Sequence, residues 1–170
     1  MAIVLTRIDN RLLHGVVATQ WAPSTGCTRL MVIDNEVADD PQKKETMKFG
    51  RPSGVNLSII NEETALTNFK NHKYDTQKVF IVTKHPDILL KIAAVEPLKK
   101  VNIGGTVRIE NGVELSNRAM ADEKDIIAYK ELTKLGAKVE IQYVPRIRRH
   151  RLKLLLNRKE IDQVLDQIYI

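Results

Sequence analysis

Within its first fifteen residues the chain gathers one histidine, two arginines and an aspartate, in the order Arg7-Ile8-Asp9-Asn10-Arg11-Leu12-Leu13-His14-Gly15. An imidazole can serve as nucleophile, general base or metal ligand, or simply pack as a structural residue. The neighbours of His14 narrow the chemistry. Arg11 carries a planar fork of donors suited to a phosphate, and Arg7 and the backbone N–H groups near Gly15 could add more. Asp9 could accept a hydrogen bond from one imidazole nitrogen, leaving the other with its lone pair. That combination suits phosphoryl transfer, where a protein mainly positions the group and stabilises its charge. The plainer alternative is a loop salt bridge between Asp9 and Arg11, with His14 as a helix cap.

These groups need elements to hold them. The apolar run 1–5 predicts a short buried strand, Asp9 and Asn10 a turn, and His14-Gly15 the start of a helix that Pro23 and Gly26 close. Residues 29–33 read as a second buried strand, 34–36 as a polar loop, and a helix then runs from Asp39 until Gly50 stops it. Further strands are expected over 55–60, 78–83, 101–105 and 138–143, with helices after Asn61, from Pro86 and from Asp122. Asn111-Gly112, between Val107/Ile109 and Val113/Leu115, signals a hairpin. Strands alternating with helices imply an α/β fold with an open, mostly parallel sheet, helices on both faces, and an antiparallel hairpin or edge strand in the C-terminal part.

Ligands of such sheets collect outside the carboxyl ends of the strands. The segments expected there are 9–14, 34–36, 83–85 and 102–105. They offer Asn10, Asp34, Thr83, Gly104 and Gly105, beside Arg7 and Gly15, as loop or partner-binding residues. The glycine pair would let backbone come close to a neighbour. His85 could reach the same edge, whereas His72 sits in a polar turn and His150 among arginines. No two histidines have the spacing of a zinc site on a helix, and neither a dinucleotide fingerprint nor a Walker lysine loop is present, so no metal and no cofactor is expected.

The length suits one domain, read as residues 1–145, followed by a tail over 146–170. Seven basic and three acidic residues in the tail supply +4 of the net +6, so the basicity is local. With no aromatic residues interleaved in the basic run, nucleic acid is not the expected partner. Leu152, Leu154, Leu155 and Leu156, then Ile161, Val164, Leu165 and Ile168, suggest an amphipathic helix for docking, dimerisation or an anionic membrane surface. No run approaches the roughly 18 apolar residues of a membrane span, and no signal peptide is read at the N-terminus. A single cysteine, Cys27, fits a reducing cytoplasm.

The segment Arg7 to Gly15 resembles the active-site motif R-I-D-x-R-L-I-H-G-Q-V of the IIB subunits of the mannose/fructose/sorbose family of the bacterial sugar phosphotransferase system. Asp34-Asn35-Glu36-Val37-Ala38, Val101 to Gly105, the helix bearing Tyr129-Lys130-Glu131-Leu132, and the stretch from Gly136 to Pro145 extend the resemblance over roughly residues 2–145. It implies that His14 is phosphorylated by the phosphohistidine of a IIA protein, with Arg11 and Asp9 holding the phosphoryl group and orienting the imidazole. The group would pass to a sugar crossing a IIC/IID membrane complex, with this chain in the cytoplasm, held to the inner membrane face through those subunits; pairing through the tail would make it a homodimer. A regulatory phosphoacceptor without a transporter is the alternative. Val16 stands where the family usually has Gln.

Overall fold

The computed structural model describes residues 2–145 and 150–151. Among the described residues nine strands, β1 (Ala2–Asp9), β2 (Arg29–Ile33), β3 (Asn56–Ile60), β4 (Lys78–Thr83), β5 (Lys100–Gly105), β6 (Val113–Ser116), β7 (Ala119–Ala121), β8 (Lys138–Ile141) and β9 (His150–Arg151), form two sheets. The main sheet has the order β3-β2-β4-β1-β5-β8-β9, parallel throughout except for β9, which runs antiparallel to β8. Strands β6 and β7 form a separate antiparallel pair. The helices are α1 (Ala22–Thr25), α2 (Asn35–Asp39), α3 (Pro41–Lys48), α4 (Glu62–Lys70), α5 (Asp87–Ala93) and α6 (Glu123–Lys134).

Side chains alternate between two cores. Ile8, Met31, Ile33, Val79 and Ile81 pack with residues of α4, α5 and α6 on one face. Leu5, Leu30, Val32, Phe80 and Val82 pack with Leu12, Leu13, Val17 and Trp21 on the other. The period of two along each strand sends consecutive residues to opposite layers, so both faces are covered, as a parallel sheet requires.

Four local expectations are corrected. Strand β1 runs to Asp9 rather than ending at residue 5, because its polar residues are paired inside the fold: Thr6 Oγ1 donates to the Lys100 carbonyl at 2.8 Å, and Arg7 binds Asp9. The 34–36 segment is helical, because the Asp34 carboxylate accepts the Val37 N–H at 2.9 Å and so opens α2; Asp40 caps α3 in the same way. Pro23 does not close the first helix. A proline there lacks an N–H and crowds the preceding turn, and the chain widens into a π-helical turn over Val17–Trp21 before α1 continues to Gly26, at φ 60°. Asn111-Gly112 does make a turn, with Asn111 at φ 59°, but the antiparallel pair lies beyond it and turns at Asn117-Arg118. The side chain of Thr106 takes the place of ladder partners there, bonding both the N–H and the carbonyl of Met120.

The sheet takes in His150–Arg151, beyond the expected domain end at 145. The amphipathic helix expected over 152–170 lies outside the described residues.

Candidate functional site

The carboxyl end of β1 lies in the middle of the sheet, flanked by β4 and β5, with Ile8 opposite Thr83 and Asp9 opposite Gly105. The loop that follows is pinned at both ends: Asn10 N–H donates to the Gly105 carbonyl and Leu12 N–H to the Asp9 carbonyl, each at 3.0 Å. Leu12 has φ 54°, a strained value for a residue with a branched side chain. Burial of its side chain, together with that of Leu13, holds the loop in this conformation.

Asp9 is the centre of the arrangement and is fully buried. Its Oδ2 accepts from Arg7 Nη2 at 2.8 Å and Nε at 3.1 Å, and lies 3.1 Å from Nε2 of His14. Its Oδ1 accepts the backbone N–H of Arg11 at 3.2 Å. An ionised carboxylate only accepts, so the shared proton belongs to Nε2 and Nδ1 is left with its lone pair. The Val16 N–H, in the first turn of the helix, stands 3.4 Å from that nitrogen. The His14 side chain is 15% exposed, open on one side and backed by Asp9 on the other.

Arg7 lies beneath this loop, not at its surface. Its guanidinium is fully buried and saturated: beyond Asp9 it donates to Asn102 Oδ1, to the Gln142 carbonyl at 3.1 Å and to the Tyr143 carbonyl at 3.3 Å, and it lies 5.0 Å from the centroid of the Trp21 ring. Burial pulls its pKa below the ordinary guanidinium value, and the charge and hydrogen bonds of Asp9 oppose that shift. Gly104 is the space Arg7 occupies. A Cβ at position 104 would stand 1.9 Å from Nη2, so only glycine lets the guanidinium lie there.

Arg11 is half-exposed and reaches the mouth, where Nη2 donates to the Tyr143 hydroxyl at 2.9 Å. Gly105 and Asn10 join the loop to β5, and Gly15 opens the helix with free space around its Cα. Asp34 and Thr83 lie at the same edge of the sheet, Thr83 beside Ile8. They line an open cleft of about 440 Å³ with Lys84, His85 and Asp125, and no described hydrogen bond or ion pair joins them to the His14 loop. Lys84 holds Asp34 at 3.1 Å and Glu36 at 3.1 Å. His72 lies in an exposed turn and pairs with Asp75.

Tyr143, Gln142, Trp21 and Arg118 are parts of the site that sequence reasoning missed. Tyr143 follows β8, accepts Trp21 Nε1–H at 2.9 Å through its carbonyl, and brings its ring within reach of both the Arg11 and the Arg118 side chains. Tyr143 lies more than a hundred residues from Arg11 and Trp21 in the chain, and no local pattern announces these contacts. Among the described residues no cluster of His, Cys, Asp and Glu could hold a metal ion, and no helix is long and apolar enough to cross a membrane.

Comparison with known proteins gives a consistent picture. Residues 3–167 match the family model described as the IIB component of the sorbose subfamily of PTS systems. A sorbose-specific EIIB component of Lacticaseibacillus casei is 32% identical over 145 residues, spanning 85% of this chain and 88% of that protein. The mannose-specific EIIAB component of Escherichia coli is also 32% identical, but this chain spans only 45% of its length. The crystal structure of the IIBSor domain of the sorbose permease from Klebsiella pneumoniae superposes with a TM-score of 0.83 at 27% identity, covering 96% of this chain and 98% of that one. The chain therefore belongs to the sorbose-subfamily IIB components of the sugar phosphotransferase system, with the α/β fold of that family.

Proposed function

We propose that this chain is the phosphocarrier of a sugar uptake system, taking a phosphoryl group onto Nδ1 of His14 from the phosphohistidine of a IIA protein. It then passes the group to a sugar entering through IIC and IID membrane subunits, which would keep the chain at the cytoplasmic face. The observation that carries this reading is the 3.1 Å hydrogen bond between Asp9 Oδ2 and Nε2 of His14. It selects the tautomer in which Nδ1, the nitrogen beside the Val16 N–H at the helix start, keeps the lone pair.

In the transfer, the Nδ1 lone pair forms the new N–P bond as the donor's P–N bond breaks and its electrons return to the donor ring. No proton has to move. The positive charge that arrives on the His14 ring lies against the Asp9 carboxylate, which stabilises it. Arg11 and the amides of the helix start face the equatorial oxygens, while Arg7 positions Asp9 and touches no phosphate. In the second transfer a sugar hydroxyl oxygen bonds to phosphorus, the N–P bond breaks, and the hydroxyl proton goes to a base outside this chain. The mannose-specific EIIAB relative supports a IIA partner. The relatives' names range over sorbose, mannose, fructose and N-acetylgalactosamine, so they select no single sugar.

The test is labelling from phosphoenolpyruvate through the general phosphotransfer proteins and a IIA protein. The wild-type chain should acquire acid-labile phosphate, placed on Nδ1 by ¹H–¹⁵N NMR of the imidazole, and His14→Ala should acquire none. Labelling of His14→Ala would refute the carrier assignment. A phosphate on Nε2 would refute the role given to Asp9.

A further inference from the structure

A second arginine stands at the mouth of the loop with nothing assigned to it. Arg118 forms the turn of the β6–β7 hairpin, and its Cζ lies 4.3 Å from the centroid of the Tyr143 ring. Arg11 approaches the same ring, with Cζ 5.9 Å from the centroid and Nη2 bonded to the hydroxyl. Two guanidiniums gathered on one aromatic ring repel each other. Among the described residues no carboxylate pairs with Arg118, and the carboxylate contact of the Arg11 side chain is the 3.8 Å approach of Nε to Asp9 Oδ1. The other oxygen of Asp9 is taken by Arg7 and His14. With Arg7 and Asp9 paired beneath the loop, Arg11 and Arg118 present a formal +2 at its mouth, which matches a phosphoryl group of about −1.5 to −2 charge.

The hairpin turn is also fixed in place. The Arg118 carbonyl accepts the Thr106 N–H at 3.1 Å, its N–H donates to Ser116 Oγ at 3.3 Å, and the neighbouring Ala119 is buried. Thr106 follows Gly105, whose carbonyl anchors Asn10. An exposed cation on a braced turn, joined through β5 to the His14 loop, is positioned in advance, which lowers the entropy lost when it closes on an anion.

We propose, resting on the phosphocarrier reading, that Arg118 is a second guanidinium for the phosphoryl group of His14, held with Arg11 against the ring of Tyr143. Arg11 and Arg118 then grip different oxygens of one group, each favoured beside the electron-rich ring until the anion arrives.

The experiment uses the full chain and potassium phosphoramidate, a small donor that phosphorylates histidine with release of ammonia and needs no partner protein. Phosphohistidine is followed by ³¹P NMR and mass spectrometry in the wild type, Arg118→Gln, Arg118→Lys, Asn117→Ala and His14→Ala. Arg118→Gln should lower the rate of phosphorylation about tenfold and raise the pH at which the phosphoryl group takes up its proton. Arg118→Lys should fall between, because a point charge replaces half of what the fork supplies, and Asn117→Ala should match the wild type. A merely structural role for Arg118 would leave the ³¹P titration unmoved. Wild-type rate and titration in Arg118→Gln, with labelling still confined to His14, would overturn this inference alone. A wild-type His14 that takes up no phosphate, read by peptide mass spectrometry apart from His72, His85 and His150, would overturn the carrier reading and this inference with it.

Discussion

Replacing Gly104 by alanine strikes the support of the site without touching its surface. The new methyl carbon would fall 1.9 Å from Nη2, 2.0 Å from Cζ and 2.4 Å from Nη1 of Arg7. Ordinary contacts need about 3.5 Å, so the guanidinium has to retreat by more than ~1 Å in a close-packed interior. That motion breaks the bonds of 2.8 and 3.1 Å to Asp9 and strands a carboxylate that is fully buried. Breaking one side of a buried pair costs about 3–5 kcal/mol. For a chain of this size each kcal/mol lowers the melting temperature by roughly 2–4 °C, so the expected drop is roughly 6–20 °C. Differential scanning calorimetry and urea titration measure it, and imidazole ¹⁵N shifts should show His14 losing its single tautomer. Gly15→Ala is the control: its Cβ meets nothing within 4 Å, and alanine suits a helix start, so stability should hold or rise by up to about 1 kcal/mol. If Gly104→Ala stays within ~0.5 kcal/mol of wild type with an unchanged tautomer, the claim that Arg7 braces Asp9 is wrong.

Other consequences concern groups away from the loop. The Tyr129 hydroxyl is buried without a partner among the described residues, so Tyr129→Phe should stabilise the fold by about 1 kcal/mol in urea titrations; a loss instead would mean that the hydroxyl is bonded. Burial raises the Tyr129 pKa above its ordinary value, so above pH ~10 the unfolded chain releases a proton that the fold retains, and stability falls as pH rises. Tyr129→Phe should therefore decline less steeply in alkali than wild type, and parallel curves would contradict this. Hydrogen bonds from Lys43 and Lys84 hold Glu36 down at about 2, so its contribution is present above its ordinary 4.5 and is lost as pH falls towards 2. Glu36→Gln should flatten the stability curve in that window, and the difference should shrink in 1 M salt as screening takes hold; superimposable curves at low salt would remove the ion pairs from the account.

Much of this architecture is legible in the chain because alternating apolar runs and helix caps act locally. Asn61 accepts the Thr64 N–H, and Asp122 forms a capping box with Asp125, as residues of those types at those places should. The errors arise where distant partners override local preference. Nothing near residue 7 says that an arginine can lie inside a central strand, since the groups that saturate it come from β5 and from the segment after β8. The glycine pair signalled a close approach, but not that Gly104 makes room for a side chain of β1. Asp34 and Thr83 share the carboxyl edge with His14, as expected from the strand pattern, and the fold adds a cleft there that they line with Lys84 and His85. Tyr143 and Arg118 gain their meaning only when the hairpin turn and the end of β8 meet Arg11.

A histidine open on one side only also governs the order of events. Asp9 backs the His14 ring, so under the proposed carrier role whatever gives the phosphoryl group and whatever takes it must come to the same exposed side of the imidazole. Two protein-sized visitors cannot share it. Turnover then alternates through a free phosphorylated carrier, and varying one visitor at fixed levels of the other yields parallel double-reciprocal lines. An excess of either visitor slows the cycle, because it occupies the form of the carrier with which it cannot react.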